Sequence, residues 1–367
     1  MFEIKKTKIV KYLSNKKKRF SYWIGFVKFK NKDKVIGDKV LYVDIDNIKQ
    51  YARYFYLLIK FFNIEGYQIY FPKKYSIYRD IAHENLFIKL LLKERIINFK
   101  TLSKTNNITV LNDENVSPDY FNFLLQQRPK ENSYHIPIPL FPLMYHQNIW
   151  NLSIPDGKRK KSIFMIGNFD ATEYNRIKES EFGVISRTKQ YNNLLQQKKL
   201  TSFHSIQELK DFIEDNEDKK CVIINRDETF KINLEDIRPV LAKFRYFMAF
   251  SGIDMPLCHN LIEALSVGTI PIIQKKYATA LQPPLIDYIN SIQFENENDL
   301  IDKMELAYEL SESKIDEMKT EVLEYYNQYL TPKSVVEKIV SDPKRKFYLL
   351  AEQKSVEIFH QNFSSKL

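Results

Sequence analysis

The stretch SGIDMPLCHNLIEALSVGTIPII, residues 251–273, decides how the chain is read. At about 100° per residue, Ala264, Leu257, Leu261, Leu265, Cys258 and Ile262 cover one broad side of a helix. Pro256, His259, Asn260, Glu263 and Val267 share an arc of roughly 100° on the other. Pro256 suits a first helical turn, where its missing N–H costs nothing. Gly268 suits the C-terminal stop. IPII is a short unbroken apolar run, the pattern of a parallel strand covered on both faces. The segment therefore reads as loop, helix from Pro256, turn and buried strand. Its polar face either meets a ligand at the first turns of the helix or simply meets water.

The same alternation runs outward in both directions. KVLYVDID (39–46), GYQIYFP (66–72) and NITVLND (107–113) read as strands, separated by helical IKQYARYFYLLIKFF and ENLFIKLLLKERI. HIPIPLFPLMYHQNIW (135–150), with its clustered prolines, reads as an extended connector. KSIFMIGNFD, KCVIINRD and RYFMAFSG are further strands, with TSFHSIQELKDFIED and LEDIRPVLAKF as helices between them. The expected fold class is α/β, with two doubly wound, Rossmann-like domains. The expected division is a basic aromatic segment 1–35, domains 36–150 and 160–330, and helices 331–367. Ligands of such sheets bind at the carboxyl ends of the strands. Gly167, Asn168, Arg226, Ser251 and Gly252 all fall there.

The totals bound the rest. A chain of 367 residues with 44% hydrophobic residues can build two real cores. The two cysteines, Cys221 and Cys258, have no metal-ligand spacing and form no disulfide framework, which fits a reducing compartment. Neither a signal peptide nor a membrane-length apolar run is visible, so a cytoplasmic protein is expected, at most peripheral to the membrane. The net charge is +10, and the opening MFEIKKTKIVKYLSNKKKRF is dominated by Lys and Arg. Such a run can face anionic lipid, nucleic acid or an anionic glycan, and Phe20, Tyr22, Trp23, Phe26 and Phe29, which interleave with and follow those cations, favour an interfacial contact, with an anionic membrane surface among the candidates, over a merely solvated terminus. No nucleic-acid-binding motif is present, and no nucleic-acid partner is expected.

FRYFMAFSGIDMPLCHNLIEALSVGTIPII resembles the nucleotide-binding segment of GT-B glycosyltransferases, closest to the exostosin and fucosyltransferase types. The matching residues are Phe244 to Phe250, the Ser251-Gly252 turn, Glu263-Ala264, and Gly268-Thr269-Ile270-Pro271-Ile272-Ile273. The resemblance implies two Rossmann-like domains facing a cleft, the C-terminal one holding a nucleotide-sugar donor and the N-terminal one an acceptor. It implies that Glu263 hydrogen-bonds ribose hydroxyls, that His259 and Asn260 face the phosphates or sugar, and that backbone N–H groups at the helix start meet the diphosphate. The upstream acid of the retaining type is not matched, since Asp254 lies nine residues before Glu263. Sugar and stereochemistry stay open.

The chemistry then assigns further roles. Arg226 can neutralise a diphosphate in bidentate fashion, or pair with Asp227 or Glu228 at the surface. Fixed cations and helix N-termini can stabilise the leaving group without a metal, so no metal and no cofactor are expected. An inverting reaction needs a base, and Asp46, with Asp44 behind it, ends the first strand. His83, His135 and His146 are rivals. The same Asp-x-Asp also fits a divalent-ion site, or a plain strand-end or helix-cap role, with Asp46 before Asn47. The expected function is transfer of a sugar from a nucleotide sugar to a saccharide or lipid-linked acceptor in surface polysaccharide biosynthesis. The alternatives are an epimerase or hydrolase of the same fold, and a non-catalytic glycan- or membrane-binding component.

Overall fold

The computed structural model describes residues 17–31, 39–82, 85–102, 108–126, 132–177, 179–215, 217, 219–226 and 229–365. The chain divides into two compact units. Unit 1 holds Met1–Tyr120, Glu131–Tyr134 and Val336–Lys354; unit 2 holds Phe121–Lys130, His135–Val335 and Ser355–Leu367. Each unit is a mixed α/β body built on a parallel sheet.

Unit 1 opens with helix α1, residues 17–28. Strand β1 (Val40–Asp44) leads through a 3-10 turn into α2 (Ala52–Ile64), then β2 (Gln68–Phe71), α3 (Tyr75–Ala82), β3 (Ile97–Phe99) and β4 (Ile108–Asn112). The sheet order is β3-β2-β1-β4, all parallel. α2 is buried along most of its length, from Tyr54 to Phe62, because its aromatic and aliphatic residues run round the whole wheel. β3 carries no alternation and only three residues, so its sequence gives no strand signal. ENLFIKLLLKERI forms only the short helix Leu90–Lys93. β5 (Val116–Ser117) and β6 (Ser133–His135) follow.

Unit 2 is built on β7 (Lys160–Gly167), α4 (Arg187–Gln196), β8 (Leu200–Thr201), β9 (Val222–Arg226), β10 (Phe244–Ala249), α5 (His259–Leu265), β11 (Ile270–Gln274) and β12 (Ile292–Phe294). The six strands are parallel, in the order β12-β11-β10-β7-β9-β8. β10 and β11 are buried at every position, as a central parallel strand must be. Pro271 lacks a ladder donor but stands opposite Phe247, one residue before pairing with β12 begins at Ile272 and Ile292. Helices α6 (Glu297–Glu309), α7 (Glu312–Tyr329), α8 (Pro332–Val340) and α9 (Glu352–Ser364) follow. The chain re-enters unit 1 within α8, at Val336, and β13 (Lys346–Tyr348), between α8 and α9, joins a small sheet ordered β5-β13-β6.

One expectation is corrected at the decisive segment. α5 begins at His259, not at Pro256. The Gly252 N–H donates to the Pro256 carbonyl, and the Cys258 N–H donates to the Tyr277 hydroxyl. These bonds close residues 252–258 into a loop and leave Cys258 extended at the N-cap. Gly268 does stop the helix, at φ +69°.

Candidate functional site

In unit 2 the chain passes from β7 out to β8 and β9 on one side, and to β10, β11 and β12 on the other. The order reverses between β7 and β10, which is where an open parallel sheet forms its crevice. Gly167 and Asn168 end β7, and Phe250, Ser251 and Gly252 follow β10. Both glycines are required by close approach. A Cβ at Gly167 would lie 3.0 Å from Arg187 Nη1 and 3.1 Å from Asn260 Nδ2. A Cβ at Gly252 would lie 2.9 Å from the carbonyl oxygens of both Met255 and Leu257.

Arg187 is the centre of this point. Ser186 caps α4 by accepting from the Lys189 N–H, and so sets Arg187 at the first helical position. Only 1% of Arg187 is exposed. Its Nη1 donates to the Asn168 carbonyl (2.8 Å), Nε to the Ser251 carbonyl (3.1 Å), and Nη2 to Cys258 Sγ (3.4 Å). The guanidinium lies 4.0 Å from the Tyr174 ring centroid and 5.6 Å from that of Phe169. It thus stitches the ends of β7 and β10 to the start of α5. Among the described residues no carboxylate pairs with it. The sequence reading placed the cation at Arg226 and missed Arg187. The only local signal for it is a serine cap followed by arginine after an unstructured stretch.

α5 presents a layered arrangement rather than a polar face in water. Glu263 is 1% exposed, and its Oε1 stands 3.0 Å from His259 Nδ1, one turn earlier. His259 is the outer member, 35% exposed along its side chain, with its ring 5.0 Å from that of Phe141. Behind Glu263 the buried Arg238 donates to Ser266 Oγ, which in turn donates to the Glu263 carbonyl. Asn260 is buried and donates to the Ile166 carbonyl, so it fastens α5 to β7. Ser251 is buried as well, its hydroxyl donating to the Ile185 carbonyl. Burial raises the Cys258 thiol, but the Arg187 guanidinium, His259 and the Asn260 N–H outweigh it and hold the thiol below its ordinary value.

A polar groove of about 580 Å³ opens along α4, lined by Asn175, Ser186, Thr188, Lys189, Asn192 and Glu297 among others. Its amide and hydroxyl groups can meet sugar or base hydrogen-bonding edges.

The structure therefore brings together Gly167, Asn168, Ser251, Gly252, His259, Asn260 and Glu263 in unit 2. Arg226 ends β9 and pairs through its backbone with Gly167. Asp44 and Asp46 belong to unit 1, at the carboxyl end of β1. Asp44 forms an ion pair with Lys74 at 3.0 Å. Asp46 is exposed, and its N–H donates to Asp113 Oδ2 at 3.0 Å. Asn47, not Asp46, occupies the N-cap of the following turn, so Asp46 does not cap it, while Asp44 is the last residue of β1. His83 lies outside the described residues. His135 is buried against Phe123, and burial pushes its pKa down to about 4, so it binds a proton too weakly to serve well as a base. His146 ends the short helix Pro142–His146 within the stretch expected to be an extended connector.

No protein-family model matches the chain, and no curated protein matches it. Among solved structures it is similar to a glycosyltransferase from Rickettsia africae, at 9% identity over 83% of this chain and 97% of that one, TM-score 0.40. An alpha-glucosyltransferase solved with UDP and a mismatched DNA shares 12% identity over 84% of this chain and all of its own length, TM-score 0.43. The Anabaena protein HepE, solved with UDP and glucose, shares 9% over 83% of this chain and 98% of its own, TM-score 0.37. At such identities and TM-scores these likenesses fix neither fold nor activity. Among the described residues no helix is long and apolar enough to cross a membrane.

Proposed function

We propose that this protein is a glycosyltransferase, moving a sugar from a nucleotide-activated donor to a saccharide or lipid-linked glycan in surface polysaccharide biosynthesis, without a resident metal. One observation carries the reading. Arg187 is a buried guanidinium without a carboxylate partner among the described residues, at the switch point of a six-stranded parallel sheet. In a low-dielectric setting its charge is weakly screened and favours an anion arriving at the strand ends. A nucleoside diphosphate supplies that anion, and the polar groove along α4 suits the remainder of the donor.

In the reaction, the bond from the sugar to the diphosphate breaks and its electron pair leaves with the diphosphate. The acceptor hydroxyl forms the new bond and gives its proton to a base. Arg187 supports the negative charge that develops on the leaving group. His259 is the group on α5 that a donor can touch, and Glu263 fixes its ring. The ribose-binding role implied for Glu263 thus becomes a positioning role exerted through His259. Asp46, an exposed carboxylate at the carboxyl end of β1, is the base we propose, with Asp44 held by Lys74.

Thermal unfolding against UDP, GDP, CMP and dTDP, each with its sugar-bearing form, tests this. A ligand that binds only the folded chain raises the midpoint. The expected result is a selective rise that His259→Ala abolishes and Glu263→Gln weakens. The reading fails if no nucleotide shifts the midpoint. Donor consumption that needs no acceptor would move the assignment to a hydrolase or epimerase.

A further inference from the structure

The outer face of α1 has no counterpart in the transfer chemistry. At about 100° per residue, Phe20, Trp23 and Val27 fall within an arc of about 60°. They are 61%, 51% and 61% exposed, and Phe20 and Trp23 stack with centroids 6.2 Å apart. Lys17 and Lys28 lie to one side of this ridge and Arg19 to the other, all exposed. Lys30, also exposed, follows the helix.

Phe26, to one side of the ridge, and Phe29, just past the helix, hold α1 in place. The Phe26 ring lies 5.6 Å from Tyr78 and 5.9 Å from Tyr75, and the Phe29 ring lies 5.0 Å from Phe99. The Tyr75 hydroxyl donates to the Arg19 carbonyl. Asn31 both accepts from the Phe99 N–H and donates to the Phe99 carbonyl, so it seals strand β3 just beyond the helix. Gly25 faces the Tyr78 hydroxyl so closely that a methyl there would collide with it. α1 therefore cannot roll to bury its ridge without giving up an aromatic cluster of unit 1.

We propose that α1 is a membrane-docking helix, whose Phe20–Trp23–Val27 ridge enters the headgroup region of an anionic bilayer while Lys17, Arg19 and Lys28 meet lipid phosphates. The charge pattern selects this occupant. Apolar side chains flanked on both sides by long cationic ones suit an interface whose interior is apolar and whose rim is anionic. A protein partner's apolar patch would leave the three cations to be desolvated. A nucleic acid would leave Val27 without a partner. Docking of α1 is independent of the transferase reading, because it uses no residue of unit 2.

The test uses the full chain with Trp150→Phe, which leaves Trp23 as the sole tryptophan of the two in the chain. Vesicles of phosphatidylcholine with phosphatidylglycerol are compared with phosphatidylcholine alone, by co-sedimentation and by tryptophan emission. Expected are binding and a blue shift with the anionic vesicles only, both weakened by salt. Phe20→Ser combined with Val27→Ser should lower vesicle affinity at least about tenfold. Lys17→Glu with Arg19→Glu should abolish the preference for anionic lipid. These positions are exposed, so the unfolding midpoint should not move. Absence of vesicle binding, or binding unaffected by the ridge variants, overturns the proposal. Retention by poly(U), or self-association, that the ridge variants remove while vesicles stay unbound would assign the face to RNA or to a second copy instead.

Discussion

Replacing Arg187 by methionine isolates what the buried guanidinium contributes. Methionine fills a similar elongated volume but carries no donor and no charge. Three hydrogen bonds are lost, to the carbonyls of Asn168 and Ser251 and to Cys258 Sγ. Ser251 is fully buried, so its carbonyl has no water to turn to. Hydrogen bonds from a charged donor contribute about 1.5–3 kcal/mol each, and leaving a buried acceptor unmet costs about 1–3 kcal/mol. Stacking of the guanidinium over Tyr174 adds about 1 kcal/mol. The desolvation cost of the buried charge, which methionine removes, and the new side chain's apolar contacts offset more than half of this, and a net loss of about 3–4 kcal/mol is expected, a large share of the usual stability of about 5–15 kcal/mol. Urea unfolding followed by circular dichroism measures it. A second readout comes from Cys258. In a Cys221→Ser background its alkylation rate against pH reports the thiol. Wild type should alkylate with a midpoint below that of an ordinary thiol, and Arg187→Met should move the midpoint up, because burial then acts without the opposing charge. A loss below about 1 kcal/mol with an unmoved alkylation profile would refute the central role given to Arg187.

Gly252 and His135 give two further tests. Gly252→Ala should cost about 1–3 kcal/mol, because the methyl would meet two backbone carbonyls at 2.9 Å and neither can swing away; an unchanged urea midpoint would show that residues 252–258 are not held as described. For His135 the folded pKa is about 4, below the ordinary value of about 6.5, so the unfolded chain binds the extra proton. Its contribution to stability is complete above about pH 6.5 and is lost as the pH falls to about 4, a difference of about 3 kcal/mol at most. Unfolding midpoints across that window should fall with acid in wild type and fall less steeply in His135→Leu.

The strand–helix–strand unit around residue 260 was legible because its signals are local. IPII can only be a buried strand or a buried helix, and Gly268 just before it settles which. The helical wheel correctly grouped His259, Asn260 and Glu263 on one face. It could not say what covers that face, and so Glu263 and Asn260 read as ligand-facing when both are buried and bonded within the protein. Arg187 was illegible for a related reason. Its partners lie 19, 64 and 71 residues away, and only the reversal of strand order brings them together. The helix start at Pro256 was read from proline's tolerance of a first turn, whereas the competing bond from the Gly252 N–H to its carbonyl is a property of the loop. β3 escaped because three residues cannot show a period.

The late return of the chain to unit 1 bears on the order in which the protein is made. β13, at Lys346–Tyr348, pairs with β5 through Phe347 opposite Val116 and Tyr348 opposite Ser117. A ribosome emits Val116 long before Phe347. The N-terminal unit therefore cannot complete its small sheet until unit 2 has been almost wholly synthesised. During that interval β5 presents open backbone groups to the cell, a window in which a nascent-chain chaperone has something to hold.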